Sequence, residues 1–570
     1  MAQFQTMLGD PNYLPQELKR YKNVTKADVM RVYTHYIKGK NAVVLTVYPK
    51  GKAELVAKPD NYTVSMAGYQ NPDYGYAGLT YKKPTDSFDR AKKPAPGANP
   101  TLKVPPFWTD KLANGLNIIG TPNNEIPTVT MLFTIRGGHL LSANDPSKAG
   151  IAQLTAALMD EGTQKYTTEQ FNTKMEKLGS TIRTQATTEN ITLSVETPVK
   201  NLDSTLALLE EAMFRPRFAT EDFDRLKKQQ IELIGNQSTQ PVVIANKAYN
   251  KLLYGADNIR AVPISGTAKT VEGITLDDVK AFYAKNLSPS VTNLVIVGDV
   301  DQKTIMSKLA FLNKWAAKPV QIPTALPSRK IDKTRIYLVD KEQAAQSEIR
   351  IGYLTDLPYD ATGDYYRATL ANYMLGGAFS SRINMNLRED KGYTYGARSG
   401  FASTRTPGPF TAQAGVKAAA TDSSVVEFVK EITNYGKTGI TQEELDFVKS
   451  SLGQSDALRY ETSLQKAFFL ARIIEYNLPK DFVDQQAKIL KNITKADIDA
   501  VAKKLLPVNS MIIAVVGNKQ LIKPGLERLG YEVVELDKEG NLMASTGSTP
   551  AKEAKPAPAK VGGSPIKRNE

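Results

Sequence analysis

Cysteine is absent from this chain, and histidine occurs only at His35 and His139. Without cysteine there is no disulfide, no thiolate nucleophile and no cysteine metal site, whichever compartment holds the protein. Two histidines far apart in sequence leave almost nothing for histidine-based chemistry, whether a Ser–His couple or an imidazole-ligated metal. Both read as turn or surface residues. Long apolar runs are missing too. Nowhere do eighteen apolar residues follow one another, so no transmembrane segment is expected. Residues 1–30 lack the apolar core of a signal peptide.

What is present is an ordinary globular balance, 41% apolar and 23% charged, over 570 residues. That length predicts two to four domains. The formal net charge is +14. Part of it sits in "YKKPTDSFDRAKKPAPG" near residue 90 and part in the end "STPAKEAKPAPAKVGGSPIKRNE". Both are rich in Pro and Lys, so 58–100 reads as a linker and 540–570 as a disordered basic tail. A nucleic-acid partner would rest on charge alone, with no binding motif beside it, and none is expected.

A repeat organises the chain. "KNVTKADVMRVYTHYIKGKNAVVLTVYPKG", "EGITLDDVKAFYAKNLSPSVTNLVIVGDVD" and "KNITKADIDAVAKKLLPVNSMIIAVVGNKQ" share one pattern. Each has a Thr (Thr25, Thr275, Thr494) followed three residues on by an acid (Asp28, Asp278, Asp497). The Thr can cap the first free helix N–H groups, and the acid favours the positive helix start. A short amphipathic helix, a small loop and an apolar β-branched strand follow in each copy. Upstream of two copies the element order also agrees: two strands, two helices, two strands, several helices, then the last strand. Strands joined by short turns imply an α+β fold, a largely antiparallel sheet with helices on one face. Two such domains are expected, 101–318 and 329–535. Residues 1–57 read as the last helices and strand of a further copy whose earlier parts are absent. The chain is then a fragment, a processed piece or a misplaced start.

The most specific stretch is "MLGGAFSSRINMNLREDKGYTYGARSGF", Met374–Phe401. It resembles the second-domain signature of the pitrilysin/insulinase family of zinc metallopeptidases: paired glycines, a Ser-Arg helix start, Leu-Arg-Glu, a Gly turn and a Tyr-bearing strand. The resemblance spans about 101–535 and implies half of a clamshell that closes over unfolded peptide. In "KAGIAQLTAALMDEGT", Lys148–Thr163, the family places its inverted zinc motif H-x-x-E-H. Here those positions are Gln153, Ala156 and Ala157, while Ile151, Leu154, Leu158 and Met159 keep an intact apolar face. Glu232 is the only acid near the family's downstream ligand. No zinc is expected in this chain; the resemblance places it on a partner half or subunit.

By the same resemblance Arg388 and Tyr395 are the retained catalytic residues, holding the substrate carbonyl and the oxyanion that develops on it. The plain alternative pairs Arg388 with Glu389 or Asp390 and leaves Tyr395 a half-buried strand residue. Tyr393 alternates to the same face as Tyr395. Ser380, Ser381 and Arg382 read as a helix cap and surface contacts, and Gly376 and Gly377 as close packing or a turn. The expected function is the non-catalytic, peptide-binding half of a metalloendopeptidase, in the periplasm or cell envelope. The competing expectation is an inactive scaffold of the same fold.

Overall fold

The computed structural model describes residues 1–58, 68–70, 73–80, 89, 92, 97, 104–323, 331–455 and 460–543. Most of the linker at 58–100 and nearly all of the tail at 540–570 lie outside the described residues. The chain forms two units, Met1–Lys93 and Pro94–Glu570.

In the first unit three helices follow one another, Ala2–Leu8, Leu14–Asn23 and Lys26–Tyr36. The third begins with the expected capping box: Asp28 N–H donates to Thr25 Oγ1 at 3.2 Å and Thr25 N–H to Asp28 Oδ2 at 3.1 Å. His35, on this helix, is exposed. The strand expected at "VVLTVYP" is not formed. Val43 is 99% exposed and Val47 88%. A strand exists only through ladder bonds to a neighbour, and among the described residues of this unit there is no other strand to bond.

The second unit holds two six-stranded sheets. The first is built from β1 (Trp108–Lys111), β2 (Asn117–Pro122), β3 (Thr128–Arg136), β4 (Thr181–Ala186), β5 (Asn190–Pro198) and β6 (Thr292–Gly298), in the order β1-β2-β6-β3-β5-β4. The second is built from β7 (Arg335–Asp340), β8 (Gln346–Leu354), β9 (Thr394–Phe401), β10 (Pro409–Lys417), β11 (Ile512–Gly517) and β12 (Val533–Leu536), in the order β12-β7-β11-β8-β10-β9. The parallel pairs are β2–β6, β7–β11 and β7–β12; the other pairs are antiparallel. The α+β class is therefore as the sequence predicts.

The repeat explains the centre of each sheet. Helix Leu276–Asn286 starts at the Thr275/Asp278 box and helix Lys495–Leu505 at the Thr494/Asp497 box. Each leads into a strand, β6 or β11, that inserts in mid-sheet between a parallel and an antiparallel neighbour; in the second repeat β11 is not the last strand, since β12 follows it at the sheet edge. Every residue of both strands is buried.

That burial corrects one expectation. Helices cover both faces of each sheet, and the second cover comes from the other repeat. In the first sheet Ile118, Met131, Phe133 and Val195 face the repeat's own helices, among them Leu154 and Leu158. The alternate residues Ile119, Leu132, Val295 and Val297 pack on Ala467, Leu470 and Ile473 of helix Ser463–Tyr476, which belongs to the second repeat. Reciprocally, Val339, Ile512, Ala514 and Val516 of the second sheet pack on Ile244, Ala248 and Leu252 of helix Pro241–Tyr254 from the first. Tyr249 on that helix donates its hydroxyl to the Phe410 carbonyl at 3.3 Å. Strands covered on both faces become continuous apolar runs, as "NLVIVG" and "MIIAVVG" are.

Candidate functional site

Helix Ile151–Met159 carries the zinc-motif positions. It starts at Gly150, whose φ of 102° and whose approach to the Ser265 carbonyl leave no room for a side chain. Ile151, Leu154, Leu158 and Met159 are buried as their spacing predicts. Gln153 and Ala157, one turn apart, are half-buried, and Ala156 points its methyl into the core. Of the three positions only Gln153 carries a donor atom, a neutral amide. Glu232, the downstream acid, is exposed and lies 3.9 Å from Lys228. The residue of its helix that reaches the start of Ile151–Met159 is Gln230, which donates to the Gly150 and Ser265 carbonyls at 3.3 and 2.7 Å. This donor set does not fit a zinc ion, which takes imidazole, thiolate or carboxylate ligands.

The acids at the helix end have other work. Asp160 accepts the Thr184 N–H at 2.9 and 3.1 Å, and burial pushes its carboxyl up to about 6. Glu161 pairs with Arg225 at 2.7 Å. His139 is neither a turn nor a surface residue: it lies in the 3₁₀ helix Gly138–Asn144 and is only 1% exposed. Its Nε2 lies 3.1 and 3.0 Å from the carbonyls of Ile259 and Val262. Burial lowers its pKa, so the ring is held neutral.

In the second repeat the signature folds as helix, turn and strand. Two π-helical turns, Tyr373–Gly377 and Met385–Asp390, flank the short helix Arg382–Asn384. Such turns are frequent at functional sites. Gly376 packs against Ser399, where an added Cβ would meet the Ser399 amide nitrogen at 2.4 Å. Ser381 is not a surface cap: it is buried and makes no capping bond. Arg382 pairs with Glu444 at 2.6 Å and lies over the Tyr435 ring. Arg388, on the second π turn, is half-exposed, 3.4 Å from Glu389 and over the ring of Phe379 at 4.6 Å. The Arg388–Glu389 pair of the plain alternative is therefore present.

Tyr395 is not the half-buried residue of that alternative; it is 91% exposed. The register of β9 gives the reason. Thr394 stands opposite Val416 and Ala397 opposite Ala414, both of them buried core residues. Three positions separate Thr394 from Ala397, where an unbroken strand needs an even number to return to one face. Tyr395 and Gly396 share the place opposite Gly415, which makes a β-bulge. Without the bulge Tyr395 would face inward with Ala397, Ser399 and Phe401. Tyr393 precedes it in phase, its carbonyl accepting the Lys417 N–H at 2.9 Å. Arg388 and Tyr395 are thus carried on consecutive elements at the same end of the second sheet, without packing on each other. A cavity of about 430 Å³ adjoins them, lined by Phe379, Gly396, Arg398, Gln413, Gly415 and Glu348 among others. Sequence reasoning missed this cavity and the bulge. A Gly inside "YTYGARSGF" was the available signal, since glycine within a strand often marks one.

Comparison with known proteins places this architecture. The model for insulinase (peptidase family M16) matches 119–258, and the model for the peptidase M16 inactive domain matches 273–452. The chain belongs to the insulinase family of peptidases, M16. A relative from Helicobacter pylori, "Non-peptidase homolog YmxG", is 25% identical over 410 residues, covering 71% of this chain and 92% of its own. Among solved structures, the peptidase M16 inactive domain from Pseudomonas fluorescens superposes with a TM-score of 0.66 at 24% identity, over 72% of this chain and 98% of that one. The periplasmic protease PqqL from Escherichia coli superposes with a TM-score of 0.61 at 16% identity, over 81% of this chain and 52% of that one. These two likenesses speak of the fold.

Proposed function

We propose that this chain is the non-catalytic half of an M16 metalloendopeptidase, binding unfolded peptide and presenting Arg388 and Tyr395 to an active site whose zinc lies on another half or chain. The observation that carries the reading is the bulge at Tyr395–Gly396. It turns a phenol outward from a core-facing phase and leaves its hydroxyl free, on the strand that follows the π-helical turn of the half-exposed Arg388. A phenol O–H and a guanidinium can both donate to an oxygen that gains negative charge. Neither can attack a peptide bond, and the Gln153, Ala156, Ala157 helix offers no metal to activate water. The chain alone is therefore inactive and zinc-free. The periplasmic protease PqqL, of whose chain this one covers 52%, supports pairing with a second half or subunit and an envelope location.

The test is reconstitution with the zinc-bearing half and one unfolded peptide. Tyr395→Phe lowers turnover ~10²–10³-fold with folding intact, the usual cost of one oxyanion donor; Tyr393→Phe costs less. Wild-type turnover in Tyr395→Phe would leave the scaffold reading, which the name of the Helicobacter relative also supports. About one tightly bound zinc per isolated chain would refute the metal-free half of the proposal.

A further inference from the structure

We propose that the cavity beside Tyr395 is a substrate subsite for an acidic side chain, selected by Arg398. This rests on the peptide-binding reading above and names the substrate class that the site prefers.

The register lays out the cavity floor in rows. Arg350 of β8, Gln413 of β10 and Arg398 of β9 stand side by side, and so do Glu348, Gly415 and the bulged pair Tyr395–Gly396. The row nearest Tyr395 carries two glycines, and the Glu348 side chain leans across one of them. An added Cβ on Gly415 would meet Glu348 Oε1 at 2.8 Å. The walls are Phe379, 68% exposed, and Val242 at the start of helix Pro241–Tyr254.

The charges on this floor are unbalanced. Glu348 is matched by Arg350, whose Nη1 lies 2.9 Å from its carboxylate. The Arg350 guanidinium is further held by Asn246 Oδ1 at 3.1 Å and the Ile349 carbonyl at 2.9 Å, so it has no free fork. Arg398 is exposed, and among the described residues no acidic group lies within ion-pair distance of it. A guanidinium free at the rim of a cavity of about 430 Å³ is built to take a carboxylate in two parallel hydrogen bonds. The Gln413 amide beside it can add a third. A lysine side chain entering the same space meets an unmatched positive charge.

Distance fixes where on the peptide the acid lies. Arg398 stands opposite Gln413 and the bulged Tyr395 opposite Gly415, two places apart on β10 and roughly 7 Å at strand spacing. A peptide running alongside in extended form therefore brings its acidic residue about two positions from the bond that Tyr395 and Arg388 would hold.

The experiment uses this chain alone and needs no zinc. Fluorescence anisotropy measures the affinity of three unstructured, labelled peptides that differ only in one central Glu, Gln or Lys. The Glu peptide binds about fivefold tighter than the Gln peptide at low salt, the scale of a partly exposed ion pair, and the margin shrinks at high salt. Arg398→Gln abolishes the preference, and Arg398→Glu reverses it in favour of Lys. Arg398 is exposed, so neither change disturbs the fold. Equal affinity for the three peptides, or a preference that survives Arg398→Gln, overturns the subsite and leaves the peptide-binding reading standing. Failure of all three to bind overturns both.

Discussion

At the scale of single residues, one buried and one half-buried ionisable group in the first repeat give this protein an opposed pH response. His139 is kept neutral by burial, so its folded pKa lies below the usual 6.5. The unfolded chain takes up that proton first as pH falls, and stability is lost below about pH 6.5. Asp160 acts in the other direction. Its folded value of about 6 stands above the ordinary 3.8, so its contribution is fully present below 3.8 and is lost as pH rises through about 6. Urea midpoints measured from neutral pH down to about pH 5 separate the two. His139→Asn flattens the acid loss, and Asp160→Asn steepens it. A wild-type midpoint slope unchanged by His139→Asn would show that His139 does not titrate with folding. The sequence set the residue types at both positions, but not their burial. His139 sits in "RGGHLL", and only the fold brings the carbonyls of Ile259 and Val262, about 120 positions away, onto its ring.

At the scale of elements, the repeated capping box is the part of this protein most directly written in sequence. Thr25, Thr275 and Thr494 each accept a hydrogen bond from the backbone of the acid three residues on, and each acid accepts in return. The geometry is local, so four residues specify it wherever the helix lies. Thr494→Ala is expected to cost about 1 kcal/mol. Thr275→Ala should cost the same, since the two boxes match. Chemical denaturation of both variants checks this; a difference of more than about twofold would mean that tertiary packing supports one box and not the other. The strand that follows each box is not local in this way. β6 and β11 form because a sheet receives them, and the equally apolar "VVLTVYP" forms no strand because the described residues of its unit supply no neighbour.

At the scale of the molecule, the exchange of covering helices joins the two repeats. Helix Pro241–Tyr254 lies on the second sheet and helix Ser463–Tyr476 on the first. Neither repeat can bury both faces of its own sheet without the other. A protease site inserted in 324–330, between the two repeats in sequence, should therefore leave the two pieces eluting together under native conditions. Separation after cleavage would contradict the exchange. Leu470→Ala, which empties a fully buried site against the first sheet, should lower stability by about 2–5 kcal/mol and weaken association of the nicked pieces. The same mutation affects a sheet whose last strand ends at Gly298. A stability loss confined to the second repeat, seen by hydrogen exchange, would refute that coupling.

The sequence by itself determined the repeat, its capped helices, the α+β class and the emptiness of the zinc motif, because each depends on residue type and short spacing. The tertiary structure alone decided the rest. It put helices on both faces of each sheet, since two apolar faces must each find a cover and one repeat supplies only one. It buried His139. It also decided which way Tyr395 points, because a bulge is a mismatch between two strands, and its position is fixed only when β9 pairs with β10 around Gly415.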